Sequence, residues 1–166
     1  MSRLYLVLAF CLLMATLIPL ASVMAVSPST PTYTHFVYMF GHANILHWLI
    51  NAWSFLVLHN VLRWYRLLTA YLLSVTLSFL ISHFSCSSSA APTIGASVLT
   101  CFFFGFIAPW LWQRQKVAVL MMLLLILAGF FLSGFAAGYH LIMFISGLIA
   151  SYIEHFIRSF ITFSST

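Results

Sequence analysis

Acidic side chains are almost absent: Glu154 is the single one among 166 residues, set against six arginines and lysines. Charge of either sign is scarce. It amounts to 4% of residues, where a water-soluble domain needs roughly a quarter to cover its surface. A soluble globular domain is thereby excluded. With 64% of residues hydrophobic and a mean hydropathy of +1.13, the solvent must be lipid. In lipid the backbone has to satisfy its own polar groups, as helices or as a closed barrel. A barrel would alternate apolar and polar residues in strands of about ten. The long unbroken apolar runs exclude it. Cysteine is also scarce, and Cys11, Cys86 and Cys101 are an odd number with no disulfide framework and no metal-ligand spacing.

What is present is a series of apolar runs long enough to cross a bilayer, a span needing about 20 residues. Six are expected, at about 4–25, 43–61, 67–84, 94–112, 117–134 and 138–158, forming one domain over 1–166 with no internal repeat. The fold class expected is an all-α polytopic membrane protein. Arg3 precedes the first run, Arg63 and Arg66 follow the second, Arg114 and Lys116 follow the fourth, and Arg158 ends the sixth. The connections at 26–41, 82–93 and 133–139 contain no basic residue. Every positive charge therefore falls on one side, which places both termini in the cytoplasm. The +5 balance is thus a topology signal, and no nucleic-acid partner is expected. The first run could be a secretory leader, since 22–25 ends in small residues. At about 22 residues it is longer than the usual leader core of 7–15, and a retained span is favoured. Residues 27–35 and 82–93 read as external loops, with 36–40 as an interfacial piece. Short termini without a soluble domain suggest a bacterial inner (cell) membrane.

Polar residues in spans are costly, so those near span ends carry information. With topology set by charge, three groups fall at similar depth below the outer surface. His42, His47 and Asn51 open the second span, Gly95-Ala96-Ser97 the fourth, and Gly138-Tyr139-His140 the sixth. Ser97 needs a neighbouring base to act as a nucleophile. His140 is of the type that takes such a proton and returns it to a leaving amine. His47 and Asn51 are four apart and share a helix face, from which both could donate to a developing oxyanion. No carboxylate lies on that side, so a dyad is expected rather than a triad.

Other readings of these residues carry weight. A serine in a span commonly bonds the carbonyl four residues back, and His42 has a structural role as its ordinary explanation. A metal site from His42, His47 and His140 lacks any carboxylate or thiolate companion. A transporter or channel would need polar residues along its full depth, and the inner halves of spans four and six offer few. His35, His59, His83 and His155 have no matched partners, and surface or packing roles are expected. Glu154 and Arg158 are spaced for a helical ion pair. Ser146, Gly147, Ala150 and Ser151 form a small-residue face suited to close packing, with Gly105 as its expected partner.

The run 41–51, with His42 and then His47-x-x-x-Asn51, resembles the second-helix motif of the rhomboid family of intramembrane serine proteases. Gly95-Ala96-Ser97 resembles that family's nucleophile motif, with Gly105 at the place of its packing glycine. Ala137-Gly138-Tyr139-His140 followed by Gly147 resembles the start of its sixth helix. The resemblance covers about 33–155. It implies a six-transmembrane-helix bundle with Ser97 as nucleophile and His140 as base. His47 and Asn51 would stabilise the oxyanion, and His42 and Gly95 would support the site. It further implies no cofactor and no metal, with transmembrane helices of other membrane proteins as substrates, cut near the outer leaflet. An inactive relative that binds transmembrane helices is the alternative. The chain departs from the family at Tyr33-Thr34, in place of a Trp-Arg pair, and at Val98, Cys101 and Met143.

Overall fold

The computed structural model describes residues 2–26, 30–84, 95–128 and 137–164, and these are helical with short connections. In chain order the helices are α1 (Ser2–Thr16), α2 (Ala21–Met24), α3 (Thr34–Val37), α4 (Ile45–Leu58), α5 (Trp64–Phe84), α6 (Ser97–Arg114), α7 (Lys116–Ala128) and α8 (Ala137–Ser164). Single 3₁₀ turns at Ile18–Leu20 and Tyr38–Phe40 separate α1 from α2 and α3 from α4. The protein is all-α. Within α8, Gly138–Ile161 is long and apolar enough to cross a membrane. Tyr5–Thr16, Ile45–Leu58 and Trp64–Leu80 are apolar but shorter.

The run expected at 4–25 is not one helix. Pro19 has no N–H to give to the preceding turn, and its ring crowds the carbonyl four residues back, so α1 ends at Thr16. Within the segment 36–40, expected as an interfacial piece, Tyr38 and Met39 are buried and Phe36 is exposed. Thr34 and His35, just before it, are buried as well. The expected external loop at 82–93 lies outside the described residues from 85 onward, as do Cys86 and the last residues of the fifth run.

α6 sits at the centre, touching α4, α5, α7 and α8. Nearly two turns near its start are buried on every side, from Val98 through Phe103. The closest packing is between α6 and α8, and two glycines permit it. A Cβ on Gly105 would collide with the Phe144 carbonyl, and one on Gly147 would collide with the Phe102 carbonyl. The arrangement is reciprocal. It also fixes register: Ser97 lies eight residues before Gly105 and His140 seven before Gly147. At 1.5 Å per residue these are climbs of roughly 12 and 10.5 Å from the same crossing point, so both reach the same level.

α1 packs on α4. Trp48 Nε1 donates to the Cys11 carbonyl at 2.9 Å, and the buried Cys11 thiol is free. α5 buries a line of small and polar residues one helical turn apart, Arg66, Ala70, Ser74 and Ser78. The lower end of this line holds Glu154 of α8, with Arg66 Nη2 at 2.6 Å and Nε at 2.9 Å from its two oxygens. Arg158 Nη2 reaches the same carboxylate at 2.5 Å. The expected Glu154–Arg158 pair is therefore one half of a three-residue cluster.

Candidate active site

Three helix beginnings converge at one end of the α6–α8 contact. Asn44 caps α4, its side-chain oxygen accepting the His47 N–H at 2.9 Å. The cap fixes the first turn of α4 and so the position from which the His47 ring projects. Asn51, 2% exposed, donates its Nδ2 to the His47 carbonyl at 2.9 Å.

The turn into α6 depends on Gly95, which takes φ +114, a left-handed value that side chains other than glycine rarely adopt. Its missing Cβ matters as well: a carbon there would lie 2.7 Å from His47 Nε2. His47 therefore packs directly over the segment that delivers Ser97. Ala96, at the N-cap of α6, offers no capping side chain. The first backbone N–H groups of α6 are thus not taken by a capping side chain, and they lie at the positive end of the helix.

His140, on the first turns of α8 and 5% exposed, places Nε2 2.7 Å from Ser97 Oγ across 43 residues of sequence. With the hydroxyl donating, Nε2 is the accepting nitrogen and Nδ1 carries the proton. This is the contact a serine nucleophile and its base require. The chain's one carboxylate cannot orient His140. Glu154 lies fourteen residues further along α8, roughly 21 Å away, and is held by Arg66 and Arg158. What the structure joins here is a serine and a histidine, with no acidic side chain beside them.

His42 is fully buried beside His47, their ring centroids 5.2 Å apart. Neither of its ring nitrogens meets hydrogen-bond geometry with a partner among the described residues. Burial pushes its imidazole down to about 4, with His47 adding to the effect and the Phe40 backbone opposing it. His42 is therefore neutral at physiological pH. Among the described residues, no group of three histidine, cysteine or acidic side chains gathers at metal-binding spacing. His42, His47 and His140 do not form such a cluster.

Val98, Cys101 and Met143, the departures noted in the sequence, are all buried in the packing around the pair. They coexist with the 2.7 Å contact. Of the remaining histidines, His35 has a partner that its sequence position does not reveal: Nδ1 lies 3.0 Å from Ser78 Oγ, and the ring stacks on Phe79. The His59 ring turns back to the Leu56 carbonyl at 2.7 Å.

The sequence reading missed a polar group beside the pair, formed by Tyr38, Ser74 and Tyr139. Tyr38 Oη lies 2.5 Å from Ser74 Oγ and 2.9 Å from Tyr139 Oη. The available signal was the four-residue spacing of Arg66, Ala70, Ser74 and Ser78 within a leucine-rich helix, which marks one face as buried and polar. Compared with family models and with curated proteins, the chain matches none.

Proposed function

We propose that the protein is a multi-pass membrane serine endopeptidase of the rhomboid type, which cuts transmembrane segments of other proteins through a Ser97–His140 dyad. The observation that carries this reading is the 2.7 Å contact between His140 Nε2 and Ser97 Oγ, at the joined N-terminal ends of the two most closely packed helices. In the reaction, Ser97 Oγ attacks the scissile carbonyl while His140 takes its proton. The tetrahedral oxygen receives hydrogen bonds from His47, Asn51 and the first N–H groups of α6. His140 then protonates the leaving amine, and water hydrolyses the acyl-serine by the reverse proton path. No cofactor takes part.

Six spans with both termini in the cytoplasm account for the one-sided basic residues. The exposed large apolar side chains of α1, α4 and α8 support a lipid setting, among them Leu6, Trp53, Phe156 and Phe160, each at least two-thirds exposed. On this topology the dyad opens toward the outer leaflet, and a bacterial inner membrane is the proposed location.

The test is cleavage in reconstituted liposomes of a single-span protein whose helix carries small and helix-breaking residues near its outer end. The wild-type chain is expected to release two fragments, and Ser97→Ala and His140→Ala none. Equal fragment release by wild type and Ser97→Ala would overturn the assignment. Binding of the helix without cleavage by any form would favour an inert helix-binding relative.

A further inference from the structure

Tyr38 is fully buried and bonds to residues just before each member of the Ser97–His140 pair. Its carbonyl accepts the Gly95 N–H at 2.9 Å, two residues before Ser97. Its hydroxyl lies 2.9 Å from that of Tyr139, the residue before His140. Ser74 completes the group from α5, and Tyr139 Oη donates to the Ser74 carbonyl at 2.8 Å.

Proton counting fixes the directions, since each hydroxyl has one hydrogen to give. Tyr139 gives its hydrogen to the Ser74 carbonyl. Tyr38 gives its own to Tyr139, so the Ser74 hydroxyl must donate to Tyr38. The other option for Tyr38, the Ser74 carbonyl at 3.3 Å, is longer and would leave Tyr139 Oη without that donor. The result is a closed ring of three hydrogen bonds, each phenol both donating and accepting. Burial pushes the Tyr38 phenol up to about 12, against the lowering effect of its bonds to Ser74 and Tyr139, so it remains a donor at physiological pH.

We propose that Tyr38 is a positioning residue for the Ser97–His140 pair, its carbonyl holding the Gly95 turn and its hydroxyl holding Tyr139 at the start of α8. Successive side chains on a helix point about 100° apart, so tethering Tyr139 sets the rotation of α8 about its axis and thereby aims His140. The catalytic consequence rests on the protease reading above; the geometric one does not. The segment before α4 thus acts as a spacer between nucleophile and base.

The experiment uses the full-length chain in detergent, labelled with ¹⁵N-histidine and treated in parallel with a fluorophosphonate probe. His140→Ala assigns the His140 Nε2 resonance, and Ser97→Ala shows where it lies without the serine. In Tyr38→Phe the resonance is expected to move toward its Ser97→Ala position, and the probe's labelling rate to fall at least tenfold. Tyr139→Phe should do the same. The double variant should be no slower than either single one, because the ring is already broken. If Tyr38→Phe does not fold, Tyr139→Phe and Ser74→Ala break the same ring and carry the test. A wild-type resonance and labelling rate in folded Tyr38→Phe overturns the proposal while leaving the protease reading intact. An unreactive wild type in which Tyr38→Phe still shifts the resonance supports the positioning role and removes the protease reading.

Discussion

Gly95 is where backbone conformation and chemistry meet. Its φ of +114 and the His47 ring against its α-carbon leave no room for a side chain. Gly95→Ala is expected to lower stability by about 1–2 kcal/mol from the left-handed backbone, and by more from the displaced ring. Thermal unfolding in detergent should show a lower Tm, with probe labelling of Ser97 reduced at least tenfold. Adding His47→Ala should recover part of the Tm and none of the labelling, since it removes the clash together with a donor. Asn51→Ala tests the neighbouring position. It removes a buried hydrogen bond to the His47 carbonyl, worth about 1 kcal/mol, and a group proposed to donate to the oxyanion. Loss of such a donor elsewhere slows reaction by about 10²–10³, and a fall of that order in labelling rate is expected. These residues were legible in the sequence because each motif is local: the histidine and asparagine share one turn, and glycine and serine lie two apart. Tyr38 and Ser74 were not legible, because nothing local in either segment names a partner 36 residues away.

The reciprocal glycine contact between α6 and α8 sets the level at which Ser97 and His140 meet. Gly105→Ala and Gly147→Ala each drive a carbon into a carbonyl of the opposite helix, which no rotamer change relieves. Each is expected to lower stability by about 1–3 kcal/mol, measured by thermal unfolding, and to slow Ser97 labelling as the helices separate. The double variant should cost less than the sum, since one displacement admits both methyl groups. The small-residue face on α8 and its match to Gly105 were legible from composition, because close approach of helices in lipid calls for such residues. The break at Pro19 was not given its weight, although proline's missing N–H is a local rule; the apolar run around it masked the break. Burial of Thr34, His35, Tyr38 and Met39 was hidden for a different reason. Polar residues such as Thr34 and His35 read as loop until α5 supplies Ser78 to satisfy one of them.

Across the molecule, the scarcity of charge isolates one cluster, Arg66–Glu154–Arg158, at the opposite end of α8 from the dyad. Arg66 is the buried member, its guanidinium 4.1 Å from the Phe106 ring centroid and bonded to the Val61 carbonyl. Glu154→Ala leaves that cation without its counter-ion. A stability loss of roughly 2 kcal/mol is expected, below that of a fully buried pair because Glu154 is 20% exposed. Arg158 is 57% exposed, and Arg158→Ala should lower stability much less than Glu154→Ala. The i,i+4 half of this cluster follows from spacing alone, whereas the Arg66 half spans 88 residues and exists only once α5 and α8 are packed. The same holds for Ser97 and His140, which are named by motif but joined only by the fold. The most direct measurement is therefore mass spectrometry of the detergent-solubilised chain after fluorophosphonate treatment, with the modified residue located by peptide mapping. A single adduct on Ser97, absent from His140→Ala, is the predicted result. A folded wild-type chain that stays unmodified at Ser97, or that reacts equally well without His140, would contradict the account.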